Sequence, residues 1–155
     1  MKIAYIFLHR ISIAILNVVL FFITALSLYR AGVLLFNVVE DARELELLLD
    51  GVGVILVAYG VALEERETLM KFFKLYPGLQ NEREERIDKI YHFYGLWFLL
   101  LGLFMEVAVE IVKIPYSLFN IPYIEAFIFG AGSFFSVIAA VFLLRHAFFL
   151  FKTYI

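Results

Sequence analysis

Four long apolar runs decide what this chain can become: Ile11 to Tyr29, Leu45 to Leu63, Phe93 to Val112 and Ile121 to Leu144. Each is close to the ~20 helical residues that cross a bilayer core. Lipid offers backbone groups no hydrogen-bond partner, so a spanning segment must be a helix or a strand of a closed barrel. None of the runs alternates apolar and polar residues as barrel strands do. The expectation is therefore an all-α, polytopic membrane protein with four transmembrane helices in a bundle. Composition agrees, with 64% of the 155 residues hydrophobic and a mean hydropathy of +0.93. Soluble domains lie nearer about 45–50% apolar, so a water-soluble enzyme is excluded and the lipid bilayer is the first partner. A net charge of −2, with no Lys/Arg block free of interleaved acids, argues against a nucleic-acid partner. The absence of cysteine removes disulfides, thiolate metal sites, iron–sulfur clusters and cysteine nucleophiles together.

The spans imply one transmembrane domain over residues 1–155, with helices at about 11–29, 45–63 extended to 75, 80–113 and 121–144. The first run reads as a retained anchor, because Lys2 makes a weak signal-peptide start and His9 and Arg10 interrupt the apolar stretch. Lys2, Arg10, Arg66, Lys71, Lys74, Arg83, Arg86, Lys89, Arg145 and Lys152 fall on one side of the spans, and only Arg30, Arg43 and Lys113 on the other. The positive-inside bias puts both termini and the segment between spans two and three in the cytoplasm of a prokaryotic inner (plasma) membrane.

The second and third spans are joined by a charged stretch whose strong breaker is Pro77-Gly78. A turn there makes a long central antiparallel helical hairpin, with residues 64–90 as a cytoplasmic helical stalk. Residues equally distant from the turn then face each other: Lys74 and Glu82, Lys71 and Glu85, Glu67 and Lys89, Glu64 and His92. The same register carries Gly60 to Gly95, Gly53 beside Gly102, and Asp50 to Glu106. On each helix these positions fall within an arc of about 80° at 100° per residue. Glycine in a lipid-embedded helix allows close backbone approach, so Gly53, Gly60, Gly95 and Gly102 form a candidate packing seam. In the last span, Ala126, Gly130, Ser133 and Ala140 form a further small-residue face, suited to packing within the bundle or between protomers.

Ionisable groups within lipid are costly and either pair or serve a path. Asp50, Glu106 and Glu110 gather near the outer side, where Arg30 could reach Glu110 or Glu46 and Lys113 could reach Glu110. Structural ion pairing is the leading explanation of them, and they are the candidate residues of a proton or cation pathway as the alternative. His9, His92 and His146 each stand at the inner end of a span, and Glu64 ends the remaining one; imidazole and carboxylate together suit a metal, and histidine suits haem. Interfacial anchoring is the leading explanation of such histidines, and nothing in the sequence requires a cofactor. The leading expectation is a non-enzymatic integral membrane protein that acts by association, as a homo-oligomer or an accessory subunit with other membrane subunits. A proton or cation pathway through the intramembrane acids stands second, and a metal or haem site at the cytoplasmic edge third.

Overall fold

The computed structural model describes residues 9–34, 38–73, 82–113 and 124–152, without the side chains of residues 38–42, 82–85, 112–113 and 124–125. The described chain is all helical: α1 (Arg10–Leu34), α2 (Val38–Glu64), α3 (Arg66–Phe72), α4 (Glu82–Lys113) and α5 (Ile124–Lys152). Four of these are long and apolar enough to cross a membrane, and between 28% and 44% of each span is buried within the bundle. Most of each span thus faces outward, as lipid solvation allows.

Helix ends depart from the apolar runs in an instructive way. α1 continues past Tyr29 to Leu34, and α2 begins at Val38, ahead of Leu45, so the acidic segment is helical. Glu, Arg and Leu are good helix formers whatever their hydropathy. α5 likewise runs through Arg145 and His146 to Lys152. At 1.5 Å per residue, α4 is about 48 Å long against about 30 Å of bilayer hydrocarbon. The Pro77-Gly78 turn, Lys74, and the Glu82 and Glu85 side chains lie outside the described residues.

The largest interface joins α2 and α4, which run antiparallel. A methyl group placed on Gly60 would lie 2.5 Å from the Leu99 backbone nitrogen and 2.7 Å from the Gly95 carbonyl oxygen. One placed on Gly95 would lie 2.8 Å from the Glu64 nitrogen, and one on Gly102 would lie 2.7 Å from the Gly53 carbonyl oxygen. Real Cβ atoms do not come that close to backbone, so the two helices meet main chain against main chain, and only glycine fits there. Gly53 is less confined: its nearest neighbour is the Glu106 Oε1 atom at 2.6 Å, the end of a flexible side chain.

The second interface joins α1 and α5, and α5 also packs on α4 and α2. Around these contacts a single apolar core gathers Leu45, Leu49, Leu56, Phe98, Met105, Phe129 and Leu143, all nearly inaccessible. At Glu65 the backbone (φ −83°, ψ 4°) leaves the helical range, separating α2 from α3. Glu65 N–H still donates to the Val61 carbonyl and Leu69 N–H to that of Glu65, both at 2.9 Å. The step turns Arg66 inward, where it is 4% exposed.

Candidate functional site

Polar side chains inside the bundle fall into two zones. The first lies in the half nearer α3. Asn17 of α1 and His146 of α5 are wholly buried, and the Asn17 amide nitrogen lies 3.2 Å from His146 Nδ1. The same nitrogen donates to the Ile13 carbonyl at 3.0 Å. With both contacts made by the amide, His146 Nδ1 accepts and the ring proton sits on Nε2; this tautomer follows from the hydrogen-bond pattern.

α4 walls this zone with aromatic residues at helical spacing. Tyr94 stacks on the His146 ring at 4.4 Å between centroids, and Tyr91 meets it edge-on at 5.5 Å. Phe98 stands 6.3 Å from His146 and 5.5 Å from Tyr59 of α2. Tyr91 also carries the Arg66 guanidinium, whose Cζ lies 4.5 Å from the ring centroid. Arg66 pairs with Asp88, whose side chain is 11% exposed. Two charges so little exposed persist because each neutralises the other and the ring face adds a cation–π contact.

Beside them opens a cleft of about 290 Å³, lined by Leu63, Glu64, Arg66, Glu67, Asp88, Lys89, Tyr91 and His92. It lies where the apolar spans of α2 and α4 end. Both signs of charge line it, and His92 Nδ1 stands 3.8 Å from Glu64 Oε1, longer than an ordinary hydrogen bond. Glu67 takes Lys71, four residues along α3, at 2.5 Å.

The second zone lies at the far end of the span. Glu106 Oε1 is buried against Gly53. One layer further in, the Ser136 hydroxyl sits 3.1 Å from the Gly132 carbonyl and 3.5 Å from the Met105 sulfur. Arg30 bonds Glu44 at 2.5 Å on the exposed surface, in place of the Glu110 or Glu46 contact considered from the sequence. Glu110 is exposed and Asp50 half-buried; the Lys113 side chain lies outside the described residues.

Between the zones the core is apolar. From Tyr94 to Met105, about 16 Å of helix at 1.5 Å per residue, the buried side chains include Phe98 and Leu101 of α4, Leu56 of α2 and Ala139, Ala140 and Leu143 of α5. Leu20 and Thr24 of α1 join them, and Tyr59 of α2, its hydroxyl buried, packs on Phe98 at the same level. In this conformation no file of polar groups links Glu106 to His146.

The four residues considered for a metal are dispersed. His146 is inside the bundle against Tyr94, His92 is on the surface beside Glu64, and His9 caps the start of α1, its Nδ1 accepting from Ile11 N–H at 3.4 Å. Among the described residues no three His, Asp or Glu side chains gather to hold a metal ion. Tyr91, Tyr94, Arg66 and Asp88 did not stand out in the sequence. The i, i+3, i+7 spacing of Tyr91, Tyr94 and Phe98 was the available signal for an aromatic wall. The chain matches no protein-family model, no curated protein and no solved structure.

Proposed function

We propose that this is a non-enzymatic integral membrane protein that acts by association, as a homo-oligomer or as an accessory subunit of a larger membrane complex. The observation that supports this reading is a set of three helical glycines that relieve no close packing among the described residues. A methyl group on Gly32 of α1, Gly51 of α2 or Gly130 of α5 would meet nothing within 4 Å. Glycine in a helix interior costs roughly 0.5–1 kcal/mol relative to alanine. At Gly60, Gly95 and Gly102 close packing offsets that cost; at Gly51 and Gly130 the same offset would come from a helix of another chain approaching closely in lipid. In this reading α3, the first turns of α4 and both termini stand on the cytoplasmic face, where the cations concentrate.

Oxidative crosslinking in native membranes tests it, since the chain has no cysteine of its own. Gly51→Cys and Gly130→Cys should each give an adduct, at twice the chain mass on oxidation for a homo-oligomer, or with a different membrane protein for an accessory subunit once the introduced thiol carries a photoreactive maleimide. Monomer alone at both positions, with the protein folded, overturns the reading. A proton or cation pathway is the second reading, and the placement of Glu106 Oε1, buried against Gly53, favours it. The apolar layer around Phe98 and Leu101 stands against it in this conformation.

A further inference from the structure

We propose that the cleft beside Arg66 is a binding site for the phosphoethanolamine headgroup of a zwitterionic phospholipid. The cleft opens among α2, α3 and α4 where the apolar spans end, which is the level at which headgroups meet a transmembrane bundle. Its volume of about 290 Å³ lies at the small end of ligand pockets and suits a headgroup rather than a whole lipid.

Charge narrows the occupant. Glu64 stands on the α2 wall, and Lys89 and His92 stand one turn apart on the α4 wall. Arg66 and Asp88 neutralise each other within the cleft, and Glu67 is paired with Lys71. A bare anion would be repelled by the Glu64 carboxylate. A metal ion lacks ligands, because among the described residues no three His, Asp or Glu side chains gather to hold one. A zwitterion suits both walls: its primary ammonium donates to Glu64, while its phosphate accepts from His92 and from Lys89, whose ammonium has three N–H donors to distribute. His92 Nδ1 and Glu64 Oε1, 3.8 Å apart, are too far from each other to saturate that capacity themselves. A choline headgroup fits less well. Its quaternary nitrogen has no N–H to give Glu64, and such cations are recognised on open aromatic faces, whereas the Tyr91 ring already carries the Arg66 guanidinium. The acyl chains also have a path: Phe93, Leu96 and Leu100 of α4 are exposed and fall within the same arc of about 100° as Lys89 and His92. The site does not depend on whether the protein acts by association.

Trp97, the single tryptophan, reports on the site, because it packs against Phe93 at 6.3 Å between ring centroids. The 155-residue chain is reconstituted in vesicles containing phospholipid brominated high in the acyl chain, which quenches Trp97 fluorescence according to its share of the positions around the ring. At equal mole fraction, brominated phosphatidylethanolamine should quench more than brominated phosphatidylcholine, with a relative association constant roughly two- to fivefold higher. Glu64→Gln should bring that ratio close to one, because a neutral amide attracts the ammonium far less. Packing stress in the bilayer is the same for both proteins, so the change separates headgroup recognition from bulk lipid behaviour. Equal quenching by the two lipids in the wild type, a comparison that needs no variant, overturns the proposal. So does a ratio that survives in folded Glu64→Gln, or stronger quenching by brominated phosphatidylglycerol than by either, which would mark a site for anionic lipid.

Discussion

The α2–α4 and α1–α5 pairs solve the same problem of holding helices together in lipid by opposite means. The first works by subtraction: at Gly60, Gly95 and Gly102 side chains are missing and the backbones touch. The second works by addition: Asn17 and His146 supply a buried polar contact, with Ala14 and Ala147 buried nearby in sequence. Steric fit of the first kind tolerates nothing larger, whereas a polar pair tolerates replacement of both partners together better than of either alone. The difference also marks where adaptable chemistry can reside, because the polar pair retains unpaired atoms and the seam leaves no room.

The strongest way to break the contrast is at its tightest point. Gly60→Ala places a methyl group 2.5 Å from the Leu99 nitrogen, and neither backbone can yield without parting the helices. A loss of more than about 3 kcal/mol is expected in unfolding assays in mixed micelles. An alanine accepted there at little cost would mean the seam is looser than its distances imply.

His146→Phe should have an intermediate effect. It keeps a ring to stack on Tyr94 but strands one Asn17 amide proton, at a cost of about 1–3 kcal/mol. Asn17→Leu combined with His146→Phe should cost less than the sum of the single changes, and the double-mutant cycle measures that coupling. Strict additivity would show that the contact contributes nothing specific.

The smallest effect belongs to Gly53→Ala. The new methyl group meets the end of Glu106 rather than backbone, so the carboxylate can swing aside and about 1 kcal/mol or less should be lost. Glu106→Ala in the same chain should remove the penalty. A loss as large as that of Gly60→Ala would show that Glu106 is held in place, which sharpens the comparison by extending the rigid seam to its outer end.

Four apolar helices in a bundle were legible because length and hydropathy suffice to recognise a span. Hydropathy reports what lipid will accept and is silent on where a helix stops, so the helical turns before Leu45 and beyond Leu144 did not show in it. The glycine spacing was visible as a period. The burial of His146 was not. Next to Arg145 at the end of an apolar run it reads as an interfacial anchor, yet a step of 100° around the helix separates an exposed Arg145 from a buried His146. Rotation of α5 about its axis decides which of the two goes inside, and α5 is apolar on nearly every face, so its own pattern contains little information about that angle. Asn17, an isolated amide within the first span, was the visible clue that some partner had to meet it. The outer acids illustrate the converse: Arg30 had several acids within reach on paper, and its partner is Glu44.

The apolar layer around Phe98, Leu101, Leu56 and Leu143 has an electrical consequence. In an energised membrane the potential falls most steeply where polarisable groups are absent, so if water reached both polar zones the drop across this bundle would be concentrated between the levels of Tyr94 and Met105. His146 and Asn17 would then sit close to the potential of one compartment and Glu106 close to that of the other. Moving one elementary charge through the full drop involves about 2.3 kcal/mol per 100 mV. The two polar zones are, in effect, the plates of a capacitor whose dielectric is a few interlocked hydrocarbon side chains.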